Sequence, residues 1–235
     1  MSTIMSSLYD SLQARITAVR ERIAAAARAA GRDPAAIRLV AISKGASTEA
    51  IAAARAAGQT AFGESYLQEA AAKIGAPGQP IEWHFVGPIQ SNKTRPIAET
   101  FAWVQSVDRL AIAERLAAQR PGGRPPLEVL LQVNISGEAT KSGFAPAEVA
   151  AGAAAIARLP RLRLRGLMAI PAPLAGATGG SDHVRMRDLY DDLRRQGFDL
   201  DTLSLGMSDD LETAIAAGST MVRIGTAIFG PRRKA

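Results

Sequence analysis

Apolar residues recur along this chain with two alternating patterns. Over residues 5–30, Leu8, Leu12, Ile16, Val19 and Ile23 stand three or four apart, which predicts an amphipathic helix that Gly31 and Pro34 stop. Beyond it, short continuous apolar runs occur at 37–43, 59–62, 82–86, 102–107, 127–134, 163–168, 202–205 and 220–224. Between them lie Ala-rich helical stretches at about 48–57, 64–75, 91–99, 108–119, 146–158, 182–196 and 209–217. Strands without a polar face, separated by helices, belong in a parallel sheet covered by helices. Eight such runs predict an α/β fold: one (β/α)8 TIM barrel with an extra N-terminal helix, forming a single domain over 1–235. A doubly wound open sheet is the alternative. Two stretches read as loops: the turn cluster from Arg120 to Pro126, and residues 171–181 with three Gly and two Pro. The second follows a strand, so in a barrel it lies over the mouth, either as a lid or as an idle insertion.

Composition narrows the function classes. Of 235 residues 47% are hydrophobic and the mean hydropathy is +0.03, enough for a substantial core. The absence of cysteine excludes disulfides, Cys-ligated zinc and thiol nucleophiles. No apolar stretch approaches the ~20 residues that span a bilayer. Arg15, Arg20, Glu21, Arg22 and Arg28 interrupt any signal-peptide core, so a cytoplasmic protein without a membrane partner is expected. A net charge of +6 and a pI of about 10.1 invite a nucleic-acid reading. The basic residues are scattered, however, the aromatics make up only 5%, and the basic tail Arg232-Arg233-Lys234 is short. No nucleic-acid partner is expected.

The chemistry begins at Lys44, which ends the run Ile37-Arg38-Leu39-Val40-Ala41-Ile42-Ser43-Lys44. An amine at the end of a buried strand has low-dielectric surroundings that disfavour the ammonium and expose a nucleophile suited to Schiff-base chemistry. The other reading is a solvated lysine at a strand exit. In a barrel all strand C-termini share one rim, where active sites sit. That rule gathers Lys44, Gly63-Glu64-Ser65, Gly87, Ser106–Asp108, Asn134, Met168, Gly206-Met207-Ser208 and Gly225-Thr226. The last two groups, with their glycines, hydroxyls and free backbone N–H groups, form a candidate phosphate cup after strands 7 and 8. Asp209 and Glu212 have capping-box spacing, and an anion nearby requires Asp209 and Asp210 to point away. Arg223 should point into the barrel mouth, where a ring nitrogen, a phosphate or a core carboxylate would serve as its acceptor.

His84 and His183 are the only histidines, and neither has a metal-ligand partner at usable spacing. His84, between Trp83 and Phe85, reads as a satisfied interior or rim histidine or as a support near a bound ligand. Lys93 and Lys141 are loop lysines.

An amine and a phosphate cup without a metal cluster suit pyridoxal 5′-phosphate (PLP). The chain resembles the pyridoxal phosphate homeostasis protein family, also described as alanine-racemase N-terminal-like proteins. The resemblance rests on LVAISK (39–44), FGESYLQEA (62–70), WHFVGPIQSNK (83–93), VQSVD (104–108), LLQVNISGEATKSGF (130–144), LRGLMAIP (164–171) and LSLGMSDDLETAIAAGSTMVRIGTAIFG (203–230). It implies a monomeric barrel that stores, buffers or delivers PLP, with the cofactor held as a Schiff base on Lys44 and PLP-requiring apoenzymes as recipients. It further implies Ser208, Gly225 and Thr226 on the phosphate, with Met207 alongside, and Arg223 facing the pyridine nitrogen, leaving that nitrogen unprotonated. Ser65 and His84 complete the expected cofactor-binding set. Two residues depart from the family pattern: Ser65 stands where Asn is usual and Pro88 where His is usual.

Two other functions share these features. A racemase-like enzyme of this barrel type uses a second base, a tyrosine on an added C-terminal β-domain. This chain stops just past the barrel, and of Tyr9, Tyr66 and Tyr190 only Tyr66 falls near the rim, so a non-catalytic binding protein is expected. A Schiff-base aldolase acting on a sugar phosphate would use the same lysine and cup.

Overall fold

Eight parallel strands close into a barrel in sequence order: β1 (Arg38–Ile42), β2 (Ala61–Glu64), β3 (Glu82–Phe85), β4 (Trp103–Val107), β5 (Leu127–Gln132), β6 (Leu162–Met168), β7 (Thr202–Ser204) and β8 (Met221–Ile224). The computed structural model describes residues 3–75, 80–172 and 180–231. Most of the expected lid loop and the basic tail lie outside those residues. Closure is made by β8 against β1, with Arg38 opposite Met221 and Ala41 opposite Ile224.

Side-chain alternation sorts the strands into two cores. Outward residues such as Phe62, Phe85, Val104, Leu131, Leu167 and Val222 are buried beneath the helices. Those helices are α2 (Thr48–Ala56), α3 (Leu67–Lys73), α4 (Thr94–Thr100), α5 (Leu110–Gln119), α6 (Val149–Ala157), α7 (Ser181–Arg195), α8 (Leu211–Ala216) and the short α9 (Thr226–Phe229). Each fully buried Leu or Ile in this layer contributes roughly 1.5–3 kcal/mol. Inside the barrel, Val40, Ala61, Trp103, Leu130, Met168 and Met221 form a separate small cluster. Ile42 and Ala102 pack against that cluster, and His84, Gln105, Ser204 and Arg223 are buried polar residues linked by hydrogen bonds across the same interior.

The extra N-terminal helix, α1 (Thr3–Ala29), buries Leu12, Ile16, Val19 and Ile23 against α2, α8 and α9. It therefore covers the seam where the last strand meets the first.

Most bounds shift by one or two residues from the sequence expectation, and three local features bear on the site. The strand expected at 59–62 runs over Ala61–Glu64, because the Gln59 amide bonds the carbonyls of Leu39 and Ala61 and precedes the ladder. Strand β1 ends at Ile42, leaving Lys44 in the following turn. The expected Asp209–Glu212 capping box is absent: Asp210 is the N-cap of α8, and Glu212 pairs with Arg22 of α1.

Candidate functional site

The turn bearing Lys44 is held from behind by α3. Ser43 is buried; its N–H donates to the Gly63 carbonyl at 3.0 Å and its hydroxyl to Glu64 Oε1 at 2.5 Å. Lys73, also buried, bonds the Ser43 carbonyl at 2.8 Å and Glu64 Oε1 at 2.7 Å. On the other side of Lys44, the Gly45 N–H donates to Glu69 Oε2 at 3.0 Å. Both flanks of the lysine are thus fixed while its side chain stays half-buried.

Lys44 itself does not have the apolar surroundings expected of it. Its Nζ donates to the Tyr66 hydroxyl at 3.0 Å and lies 4.2 Å from that ring's centroid, a cation–π contact at an exposed tyrosine. Ser65, just before Tyr66, is half-buried and lines a cavity of about 440 Å³ with Tyr66, Pro88, Lys93 and Asp108. A neighbouring cavity of about 210 Å³ is lined by Pro88, Asn134, Lys141 and Ile170. The two departures from the family pattern therefore face the same rim space.

The loops after β7 and β8 complete the mouth. Gly206 has φ +98°, and a Cβ there would meet Ala214 Cβ at 2.7 Å, so only glycine makes this turn. Asp210 Oδ1 accepts the Met207 N–H at 2.6 Å, and its Oδ2 pairs with His183 Nε2 at 2.8 Å. Burial would raise the Asp210 carboxyl, but the bonds from His183 and Met207 outweigh it and hold the pKa low. Its charge is thereby folded back onto the loop, as an anion in the cup requires. Met207 is exposed and Ser208 half-buried, with the Ser208 carbonyl held by Arg22 at 3.2 Å. A Cβ on Gly225 would stand 3.3 Å from the Ile42 carbonyl, which brings this loop against the chain just before Lys44. Thr226 opens α9, so its N–H and that of Ala227 have no acceptor within the helix.

Arg223 is buried beneath these loops. Its Nη1 donates to Ser204 Oγ at 2.5 Å and its Nη2 to the Ala169 carbonyl at 2.9 Å. No carboxylate lies within ion-pair distance of it among the described residues. Burial lowers its pKa to about 10, opposed only by Asp210, so it remains a cation at neutral pH. A guanidinium carries five N–H donors, and these two bonds leave the others available.

His84 is not a rim residue. It is fully buried inside the barrel, stacked on Trp103 at 5.2 Å, with Nε2 bonded to Glu82 at 2.6 Å and Nδ1 to Gln105 at 2.9 Å. Both ring nitrogens are engaged by protein side chains, as the reading of a satisfied interior histidine expects. Sequence reading missed Gln105, Ser204 and the Glu64–Lys73–Glu69 clamp. The available signal was a polar residue at an inward position of an otherwise apolar strand. No group of three or more His, Asp or Glu suited to a metal occurs among the described residues.

Comparison with known proteins places these features in a family. Residues 15–233 match the alanine racemase N-terminal domain family. A pyridoxal phosphate homeostasis protein of Pseudomonas aeruginosa is 59% identical over 92% of this chain and 94% of its own. One from Escherichia coli K12 is 54% identical over 91% and 94%. The structure of PipY from Synechococcus elongatus with PLP bound superposes with a TM-score of 0.77 at 34% identity, covering 93% of this chain and all of that one.

Proposed function

The chain belongs to the pyridoxal phosphate homeostasis proteins, within the wider alanine racemase N-terminal domain family, and on that premise we propose that it binds PLP at the C-terminal mouth of its barrel and serves intracellular PLP homeostasis. The observation that carries this reading is Arg223, a buried cation with two neutral acceptors and no carboxylate, on the same rim as an accessible lysine. Such an arrangement is costly unless a ligand supplies the missing acceptor.

Each residue then has a role. Lys44 Nζ holds the cofactor covalently through its aldehyde carbon, with α3 fixing the turn on either side of it. Ser208, Gly225 and Thr226, with Met207 beside them, hold the phosphate through hydroxyl and backbone N–H donors. Ser65 lines the neighbouring rim. Arg223 meets the pyridine nitrogen as a donor only, so it accepts no proton and leaves that nitrogen unprotonated. When bound, PLP supplies a ring that withdraws electrons from an attached carbon. Without a protonated ring nitrogen that capacity is weak, which favours holding the cofactor over turning over amino acids. The curated relatives' names agree with that division.

Tyr66 is the one hydroxyl that would support a racemase reading. Racemisation removes a proton from one face of a planar carbon and returns it to the other. Tyr66 Oη is 3.0 Å from Lys44 Nζ, and two groups in contact do not flank a carbon from opposite faces. A monomer that stores PLP and passes it to PLP-requiring apoenzymes is the reading we adopt.

The test is the visible absorbance of the purified protein before and after borohydride, followed by peptide mapping. A yellow protein whose reduced label maps to Lys44 is expected, and Lys44→Ala should fold yet carry no covalent label. A colourless protein that takes up no added PLP would overturn the assignment.

A further inference from the structure

We propose that Gln105 and Ser204 are positioning residues, linked to His84 and Glu82 in a one-way hydrogen-bonded chain through the barrel interior that fixes the orientation of Arg223 at the mouth. The significance for PLP rests on the functional reading above; the chain itself does not.

The chain crosses the barrel interior, and its Ser204–Gln105 link joins β7 to β4, strands that are not neighbours. Arg223 of β8 donates to Ser204 of β7 at 2.5 Å, and Ser204 donates to Gln105 Oε1 of β4 at 2.7 Å. The Gln105 amide nitrogen meets His84 Nδ1 of β3 at 2.9 Å, and His84 Nε2 meets Glu82 Oε1 at 2.6 Å. Arg38 closes the far end on the same Glu82 oxygen at 2.5 Å. His84, Gln105, Ser204 and Arg223 are all buried.

Donor and acceptor chemistry allows this chain only one sense. A guanidinium only donates and an ionised carboxylate only accepts, so the two ends are fixed. Ser204, accepting from Arg223, turns its own hydrogen to the Gln105 carbonyl oxygen. That choice aims the Gln105 amide N–H groups at two acceptors, His84 Nδ1 and, at 3.2 Å, Met221 Sδ. With Nδ1 accepting, the His84 proton resides on Nε2 and donates to Glu82. Burial lowers the His84 pKa more than Glu82 raises it, which keeps the ring neutral as this arrangement needs. Turning the Gln105 amide over would set its carbonyl against the bare Nδ1 lone pair and leave the Ser204 hydrogen facing an N–H. Each link therefore depends on the next, and Arg223 is held by residues that never reach the rim.

The experiment uses the full chain with 15N-labelled arginine, free of ligand and then loaded with PLP, with Arg223→Lys identifying the Arg223 side-chain signal. Slow solvent exchange of the Arg223 Nη–H groups that bond Ser204 and Ala169 is expected in the unsubstituted protein. Gln105→Met, close in shape but unable to bond, should speed that exchange at least tenfold, and Ser204→Ala should do the same. Gln105→Glu should keep Arg223 slow, because it still accepts from Ser204. It should also raise the His84 titration, because a carboxylate now faces Nδ1; a merely space-filling Gln105 would not produce that pair of results. In the loaded proteins, the visible band should shift for Gln105→Met and return for Gln105→Glu. Unchanged Arg223 exchange in a folded Gln105→Met or Ser204→Ala protein would sink the proposal, even where PLP binds normally. Failure of the unsubstituted protein to take up PLP would instead overturn the functional reading, with the ligand-free exchange rates still deciding the positioning chain.

Discussion

The two mouths of this barrel treat charge in opposite ways. At the N-terminal mouth, Arg38 pairs with Glu82 at 2.5 Å, and Arg165 pairs with Glu128 at 3.1 Å and with Asp201. Both guanidiniums flank the Trp103 ring, 5.7 and 4.9 Å from its centroid. Nearby Arg120 bonds the carbonyls of Ala98, Phe101 and Pro125. At the C-terminal mouth, Arg223 finds only a hydroxyl and a carbonyl, and Lys44 only a tyrosine. One end satisfies its cations from within; the other, although Arg109 and Lys141 pair with Asp108 and Glu138 at its edge, leaves Arg223 and Lys44 with capacity for something that arrives. Cavity size misleads here, because the larger space, about 600 Å³, is at the N-terminal end, where those charges already have partners. Unmet bonding capacity is the better guide to a ligand.

Substituting one arginine at each mouth tests that contrast most strongly. Arg165→Met leaves Glu128 and Asp201 facing each other without their shared cation, and should cost about 1–3 kcal/mol in urea unfolding of the ligand-free protein. Arg223→Met removes a desolvated cation whose partners are neutral. It should leave stability unchanged or raise it by about 1 kcal/mol, as replacement of functional charges commonly does. The same substitution should weaken PLP retention at least tenfold. Equal destabilisation by both would erase the distinction between the mouths.

Acid sharpens the comparison from the other side. Burial would raise the Glu82 carboxyl, but the His84 bond and the Arg38 charge hold it at about 2, below its ordinary 4.5. A carboxylate lowered in the fold stabilises above 4.5, and that contribution fades as pH falls towards 2. Allowing for its partial exposure, about 1 kcal/mol should be lost between about pH 5 and 3. Urea midpoints over that range should fall more steeply for the unsubstituted protein than for Glu82→Gln. Parallel curves would mean that Glu82 is not held ionised by its neighbours.

The barrel was legible because apolar runs and helical stretches alternate, and that alternation is a property of local sequence. The rim set followed from topology, since every strand's end meets the same mouth; Lys44, Ser65, Met207, Ser208, Arg223, Gly225 and Thr226 all lie on or just beneath it. What stayed hidden depends on contacts between distant strands. Gln105 lies ninety-nine positions from the Ser204 that gives it meaning, and no periodicity reports such a pair. His84 is ambiguous in the sequence for the same reason: its neighbours along the chain are apolar, while its partners inside the barrel are polar. The surroundings of Lys44 differ from the expectation because the strand ends two residues earlier, at Ile42, and Tyr66 rather than apolar core meets the amine.

The smallest expected effect concerns a charge pair on the outside of the C-terminal mouth. Arg22 of α1 reaches Glu212 at 2.9 Å while also holding the Ser208 carbonyl at 3.2 Å, and both side chains are about half exposed. Water screens such a pair, so Glu212→Gln should cost no more than about 0.5 kcal/mol, and the difference should vanish in 1 M salt. Arg22 keeps its bond to Ser208 in that variant, so PLP retention should be unchanged. A loss of retention comparable to that of Arg223→Met would mean that α1 sets the shape of the phosphate loop through this pair. The boundary of the site would then extend past the barrel to the helix that covers its seam, and the pairing of charges would no longer separate scaffold from mouth so cleanly.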